Sequence, residues 1–187
     1  FETMTTQLSV NEELQLLMMT LSMSKNTVKH SGYPDALANI QHIQTLDTEN
    51  IRMVWFADVD ASMAAQSDGY ITEEGWDITS RPWFSCIEKG STVFTAPYMD
   101  YTSGDTVFPI ASPIYNVSGK GIGIAGIDIT TKAIMETISQ YKIGDNGYVI
   151  MISEDGTLIY HPDETIIGTN ISEMDISNNV KEAVANK

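Results

Sequence analysis

The segments Val107 to Tyr115 and Gly121 to Ile129 are each long enough for a full strand, and only a few residues around Ser118-Gly119-Lys120-Gly121 join them. A parallel return needs a crossover of about a dozen residues or more, so a link this short forces antiparallel pairing. Ser103-Gly104-Asp105 makes another turn, after the short apolar segment Thr92 to Ala96. Ile51 to Ala57 adds a strand of mixed burial, and Asp58 to Gly69 reads as a polar loop ending in a turn. The middle of the chain therefore predicts an antiparallel sheet. Gly121-Ile122-Gly123-Ile124-Ala125-Gly126 matches the dinucleotide-binding fingerprint letter by letter, but that site needs a strand before it and a helix opening within it. Here a turn comes first, and Ile122, Ile124, Ile127 and Ile129 continue a strand. Glycines in such a strand let a helix or a ligand come close to the backbone.

Helical periodicity brackets the sheet. Met4, Leu8, Leu14, Leu17, Met18 and Leu21 recur mostly three, four or seven apart, with Glu12, Glu13 and Gln15 between them. The spacing predicts one amphipathic helix running to about Val28, where Ser31-Gly32-Tyr33-Pro34 breaks it. Its apolar stripe packs on its own domain or, along part of its length, pairs two copies of the chain. Asp35 reads as the N-cap of a second helix, Ala36 to about Leu46. Thr130 caps a short helix through about Ser139. Two small strands, Gly147 to Ser153 and Thr157 to Tyr160, then meet at Glu154-Asp155-Gly156, and an amphipathic helix spans Ile176 to Ala185. A two-stranded hairpin is marginal alone, so it needs a cover, for which Val180 and Val184 are available. The class is α+β: a long N-terminal helix (1–33), a lobe with the pocket (34–140), and the start of a second lobe (141–187).

Charge and composition narrow the function. A net charge of −15 with only ten Lys and Arg among 187 residues leaves no basic cluster for nucleic acid or for an anionic membrane surface. The acidic field favours cations and zwitterions over anions. The lone Cys86 excludes an internal disulfide framework and a cysteine zinc site, and reads as a small buried apolar residue. His30, His42 and His161 have no ligand spacing, and Asp58, Asp60 and Asp68 lack the closing glutamate of a calcium loop. No metal or cofactor is implied. No serine sits in a nucleophile elbow, and Glu73 and Glu74 have no nucleophile converging on them, so no catalytic residue is assigned. No run of about eighteen apolar residues occurs, and FETMTTQLSV lacks the marks of a signal peptide.

One cluster has complementarity to a small molecule. Arg81-Pro82-Trp83-Phe84, Tyr98-Met99-Asp100 and Asp128 combine a cation, aromatic rings and two carboxylates. Arginine grips a carboxylate with a planar two-pronged fork, Asp100 or Asp128 can take an ammonium, and aromatic rings can wall the remainder. The alternative for Arg81 is an exposed loop arginine bridging to Glu73, Glu74 or Asp77. Trp76 reads equally as pocket wall or packing residue.

Arg81-x-Trp83, Tyr98-x-Asp100 and Gly126-Ile127-Asp128-Ile129 leading into a helix together resemble the double Cache ligand-binding domain, from about Leu8 to the C-terminus. That domain is the extracytoplasmic sensor of many prokaryotic chemoreceptors (methyl-accepting chemotaxis proteins) and sensor histidine kinases. The resemblance implies PAS-like antiparallel lobes, the second continuing with about three more strands and so incomplete here. It implies a parent receptor in the membrane and a ligand-binding rather than enzymatic role. Arg81 would bind an amino-acid carboxylate, helped by the indole N–H of Trp83 or Trp76. Asp128 would accept the ammonium with Tyr98 and Asp100, and Phe84 and Tyr101 would shape the side-chain pocket. Trp76 and Phe84 stand where the family pattern usually has tyrosine. Both departures remove a hydroxyl, which opens an amine or a small carboxylate as the alternative ligand. A secreted hydrolase and a dimerisation module with a degenerate pocket are the readings from other classes.

Overall fold

The computed structural model describes residues 1–21, 27–100, 104–141, 144, 147–152 and 156–185. The chain divides into two compact units, Phe1–Thr131 and Lys132–Lys187.

The first unit is built on the predicted hairpin. Strands β5 (Thr106–Tyr115) and β6 (Gly121–Thr130) pair antiparallel along nearly their whole length, with Ala111 opposite Gly126 and Pro109 opposite Asp128. Asn116 makes the turn: its Oδ1 accepts from the backbone N–H of Ser118 and of Lys120, and Gly119 takes φ 79°. Strand β1 (Ile51–Asp58) lies antiparallel on the other side of β6, with Trp55 opposite Gly126. The segment expected as a loop after Asp58 carries a further strand, β2 (Met63–Gln66), which forms the sheet edge against β1. Its alanines gave no strand signal in sequence.

On the far edge, β3 (Val93–Phe94) and β4 (Tyr98–Met99) both pair with β5. Pro109 explains the two short pieces. Its carbonyl accepts from Thr95 N at 3.2 Å, so the position without an N–H also faces that edge, and the ladder to β6 is untouched.

Residues 54, 56, 123, 125 and 127 face one side of the sheet and 53, 55, 57, 124, 126 and 128 the other. Helices α1 (Glu2–Ser9), α2 (Glu12–Leu21) and α3 (Tyr33–Thr45) pack on the first side, where Tyr33 meets Phe56 edge-on. With both sides covered, β5 and β6 are buried at every interior position, which is why they read as continuous apolar runs. Gly123 lets α2 approach: a Cβ there would lie 3.1 Å from the Met18 sulfur and 3.0 Å from a backbone oxygen of β1.

The helices depart from the sequence reading in two places. The single N-terminal helix is two, because Asn11 ends the first and caps the second, its Oδ1 accepting from Leu14 N at 3.1 Å. α1 lies against β5 and β6, so its apolar stripe packs on its own domain. Asp35 is not a cap. α3 begins at Tyr33 after Gly32 and takes Pro34 into its first turn, where a missing N–H costs nothing.

The first unit also holds the short helix α4 (Ser85–Lys89). Helix α5 (Thr131–Ser139) leads into the second unit, where the small antiparallel pair β7 (Met151–Ile152) and β8 (Leu158–Tyr160) is followed later by α6 (Asn178–Ala185). Thr130 is the last residue of β6 and directly precedes α5. The turn residues Glu154 and Asp155 lie outside the described residues. Cover for the hairpin comes from the chain after it. Leu158 N donates to Thr169 O, Ile171 N to Gly156 O, and Ile171 is buried. Val180, expected as cover, is exposed, and the Val184 side chain lies outside what is described.

Candidate functional site

On the sheet side away from α1–α3, the first unit has a cavity of about 700 Å³. Trp55 forms its floor. A Cβ on Gly126 would fall 2.1 Å from the indole, so glycine opposite Trp55 is what lets the ring lie flat across the sheet. From there Trp55 Nε1 donates to Asp128 Oδ1 at 2.9 Å, and Tyr98 from β4 donates its hydroxyl to Asp128 Oδ2 at 2.7 Å. Asp128 is 1% exposed. Desolvation pushes its carboxyl up to about 6, against the lowering effect of these two bonds, and the Asp100 charge adds to the rise. Burial and then the Asp128 charge also raise the Tyr98 phenol, so it stays protonated and donates.

A loop supplies the second wall. Pro82 starts a short turn, Pro82–Phe84, and holds Arg81 extended before it at φ −88° and ψ 133°. The turn puts Trp83 against Trp55, ring centroids 4.6 Å apart, and Trp76 against Trp83 at 6.0 Å. Arg81 closes the series with its guanidinium 5.1 Å from the Trp76 ring. Asp77 caps the preceding turn by accepting from Thr79 N. Ser62, in the left-handed region at φ 52°, ties the loop to the β1–β2 turn, donating to Trp76 O and accepting from Ile78 N.

The cavity is lined by Arg81, Trp83, Trp76, Tyr98 and Asp100 among the residues singled out in sequence. Asp128 stands one layer behind, held by the Trp55 and Tyr98 that do line it. Phe84 is half-buried against the core around Trp83 and is not a lining residue. Tyr101 lies outside the described residues. Among the described residues no ion pair engages Arg81, so the bridge to Glu73, Glu74 or Asp77 is not formed. Sequence reasoning missed Trp55, Gln66, Tyr70 and Thr72. The signal for Trp55 was a glycine at the matching register of β6. The other three depended on the unrecognised edge strand.

Other candidates are occupied structurally. Asp58 Oδ1 accepts from Ala61 N, Asp60 pairs with Lys120 at 3.1 Å, and Asp68 Oδ1 accepts from Tyr70 N. Among the described residues no three His, Cys, Asp or Glu side chains group so as to hold a metal ion. Burial pushes the Cys86 thiol up to about 12, so it stays protonated near neutral pH. Among the described residues no helix is long and apolar enough to cross a membrane.

An antiparallel sheet with helices packed on one side and an aromatic, charge-bearing cavity on the other has the layout of a PAS-like ligand-binding module. The chain belongs to the Cache domain family, whose model for the double domain matches residues 2–186. It is 30% identical over 100 residues to the methyl-accepting chemotaxis protein PctB of Pseudomonas aeruginosa, covering 53% of this chain and 16% of that receptor. It is 25% identical over 177 residues to McpA of Pseudomonas putida, covering 94% of this chain and 27% of the receptor. The chain thus spans only about a quarter or less of these receptors. Among solved structures it is similar to the ligand-binding domain of PctB in complex with L-Arg (TM-score 0.62, 23% identity, 86% of this chain and 65% of that one). It is also similar to that of the Pseudomonas fluorescens chemoreceptor CtaA in complex with L-serine (TM-score 0.61, 19% identity, 91% and 74%).

Proposed function

We propose that this domain is the extracytoplasmic sensor of a membrane-anchored chemoreceptor and that its cavity takes an α-amino acid. The observation that carries the reading is the run from Asp128 through Trp55, Trp83 and Trp76 to Arg81, with a carboxylate at one end, a guanidinium at the other and ring faces between. An α-amino acid presents the opposite charges. Arg81 receives the ligand carboxylate, with an indole N–H of Trp83 or Trp76 beside it. Asp128 receives the ammonium together with Asp100 and Tyr98. Phe84 keeps Trp83 in place from behind. The relatives are chemotaxis receptors, and their solved domains hold amino acids, which supports the same ligand class here. Two copies pair through the N-terminal helices, and bound ligand favours one arrangement of the receptor by its differential affinity for the two states.

Calorimetry of the chain with the common L-amino acids tests this. Arg81→Ala is expected to cost about 2–4 kcal/mol of binding, because a desolvated carboxylate loses its charged partner. Asp128→Asn keeps the shape and is expected to cost a similar amount. Asp60→Asn, at a residue that does not line the cavity, is expected to cost almost nothing. If Arg81→Ala binds as tightly as the parent while Asp128→Asn fails, the ligand is an amine. If neither matters, the site lies elsewhere.

A further inference from the structure

The cavity carries more than an amino-acid backbone needs. Its lining includes Glu73, Glu74 and Asp100, with Arg81 the one Lys or Arg among the lining residues. A bound zwitterion brings no net charge, so the excess negative charge persists after the α-carboxylate meets Arg81. The cavity's volume, about 700 Å³, also leaves room for a long side chain. Gln66 lies on this wall as the cross-strand partner of Trp55. Its Oε1 is withdrawn from water and accepts no hydrogen bond among the described residues. A carbonyl oxygen withdrawn from water without a donor is a standing penalty, relieved when the amide turns onto a donor brought by a ligand. An alkyl side chain on the ligand would leave it unrelieved, and a carboxylate would add like charge to Glu73 and Glu74.

Resting on the amino-acid reading of this site, we infer that Gln66 with Glu73 and Glu74 forms a side-chain subsite selecting a ligand that ends in a cationic N–H donor, as a basic amino acid does. Gln66 supplies the acceptor, and the two glutamates supply the field.

Three L-amino acids separate these contributions: arginine, citrulline (a neutral urea that keeps N–H donors at the side-chain end without the charge) and norleucine (an alkyl chain with neither). Calorimetry on the chain is expected to order them arginine, citrulline, norleucine, with steps of about tenfold, the size of one hydrogen bond or a partly screened charge contact. Gln66→Met is expected to shrink the step between citrulline and norleucine. The pair Glu73→Gln and Glu74→Gln is expected to shrink the step between arginine and citrulline. Norleucine binding should survive both changes, which certifies that the variants fold. Norleucine binding as tightly as arginine to the parent would overturn the subsite while leaving the amino-acid sensor standing. Steps that stay unchanged in the variants would overturn the assignment to these residues. Binding of no α-amino acid at all would overturn the sensor reading and the subsite with it.

Discussion

Asp128 is the residue on which the chemistry of the pocket turns, because two good donors do not offset its removal from water. A carboxyl raised from 3.8 to about 6 binds its proton in the folded state where the unfolded chain has already lost it. The stability this contributes is fully present below about pH 4 and is lost as pH rises through about 6. At about 1.4 kcal/mol per pKa unit, the loss over these roughly two units is about 3 kcal/mol. Urea unfolding of the unliganded chain should therefore show Asp128→Asn gaining on the parent as pH rises across that window. Ligand binding runs the other way. An ammonium needs the charged carboxylate, so amino-acid affinity should fall as pH drops below about 6, with proton release on binding just below it. A pH-independent affinity between pH 5 and 7 would mean that Asp128 does not face the ammonium. The sequence disclosed Asp128, Tyr98 and Arg81 because charged and aromatic residues clustered in family spacing. It hid Trp55, whose bond to Asp128 joins residues 73 positions apart through strand register.

Register is the property of the elements that local patterns could not supply. The hairpin of β5 and β6 was legible because a short turn admits one pairing, whereas β2 was not, since Met63-Ala64-Ala65-Gln66 has neither alternation nor strong strand formers. With β2 went Gln66, Thr72 and Tyr70, three residues that line the cavity. The glycine pattern of β6 was read correctly as close approach, but only the paired strands say what approaches: Met18 at Gly123 and Trp55 at Gly126. Gly126→Ala should therefore act on the site through the element beneath it. Its Cβ overlaps the indole, so Trp55 must leave the sheet and its bond to Asp128, at a cost of about 1–3 kcal/mol in stability for overpacking. Ligand affinity should fall with it. Gly119→Ala, which strains the hairpin turn at φ 79° and meets nothing, should cost about 1 kcal/mol and leave binding intact. Equal effects of the two on affinity would show that Trp55 tolerates displacement.

The two units of the whole chain differ in what holds them. In the first, both sides of a six-stranded sheet are buried, with Phe56, Ile110, Ile124 and Ile127 withdrawn from water. In the second, the buried apolar residues around the two-stranded hairpin are Leu158, Ile159 and Ile171. Opening free energy follows buried contacts, so the amides of Leu158 and Ile171 should exchange faster than those of Ile124 and Ile127. The site belongs wholly to the first unit, and that localisation gives exchange a second use. Ligand at about 100 times its dissociation constant stabilises whatever unfolds with the site by about 2.7 kcal/mol, slowing its globally exchanging amides roughly a hundredfold. If the units open independently, Ile124 and Ile127 slow by that factor while Leu158 and Ile171 keep their rates. If the second unit also slows, the ligand's free energy has crossed between units, and the domain transmits occupancy as one cooperative body. A sensor that signals by changing how its units are populated requires such transfer, whereas a unit whose exchange ignores ligand at saturation cannot carry the signal by its own opening equilibrium.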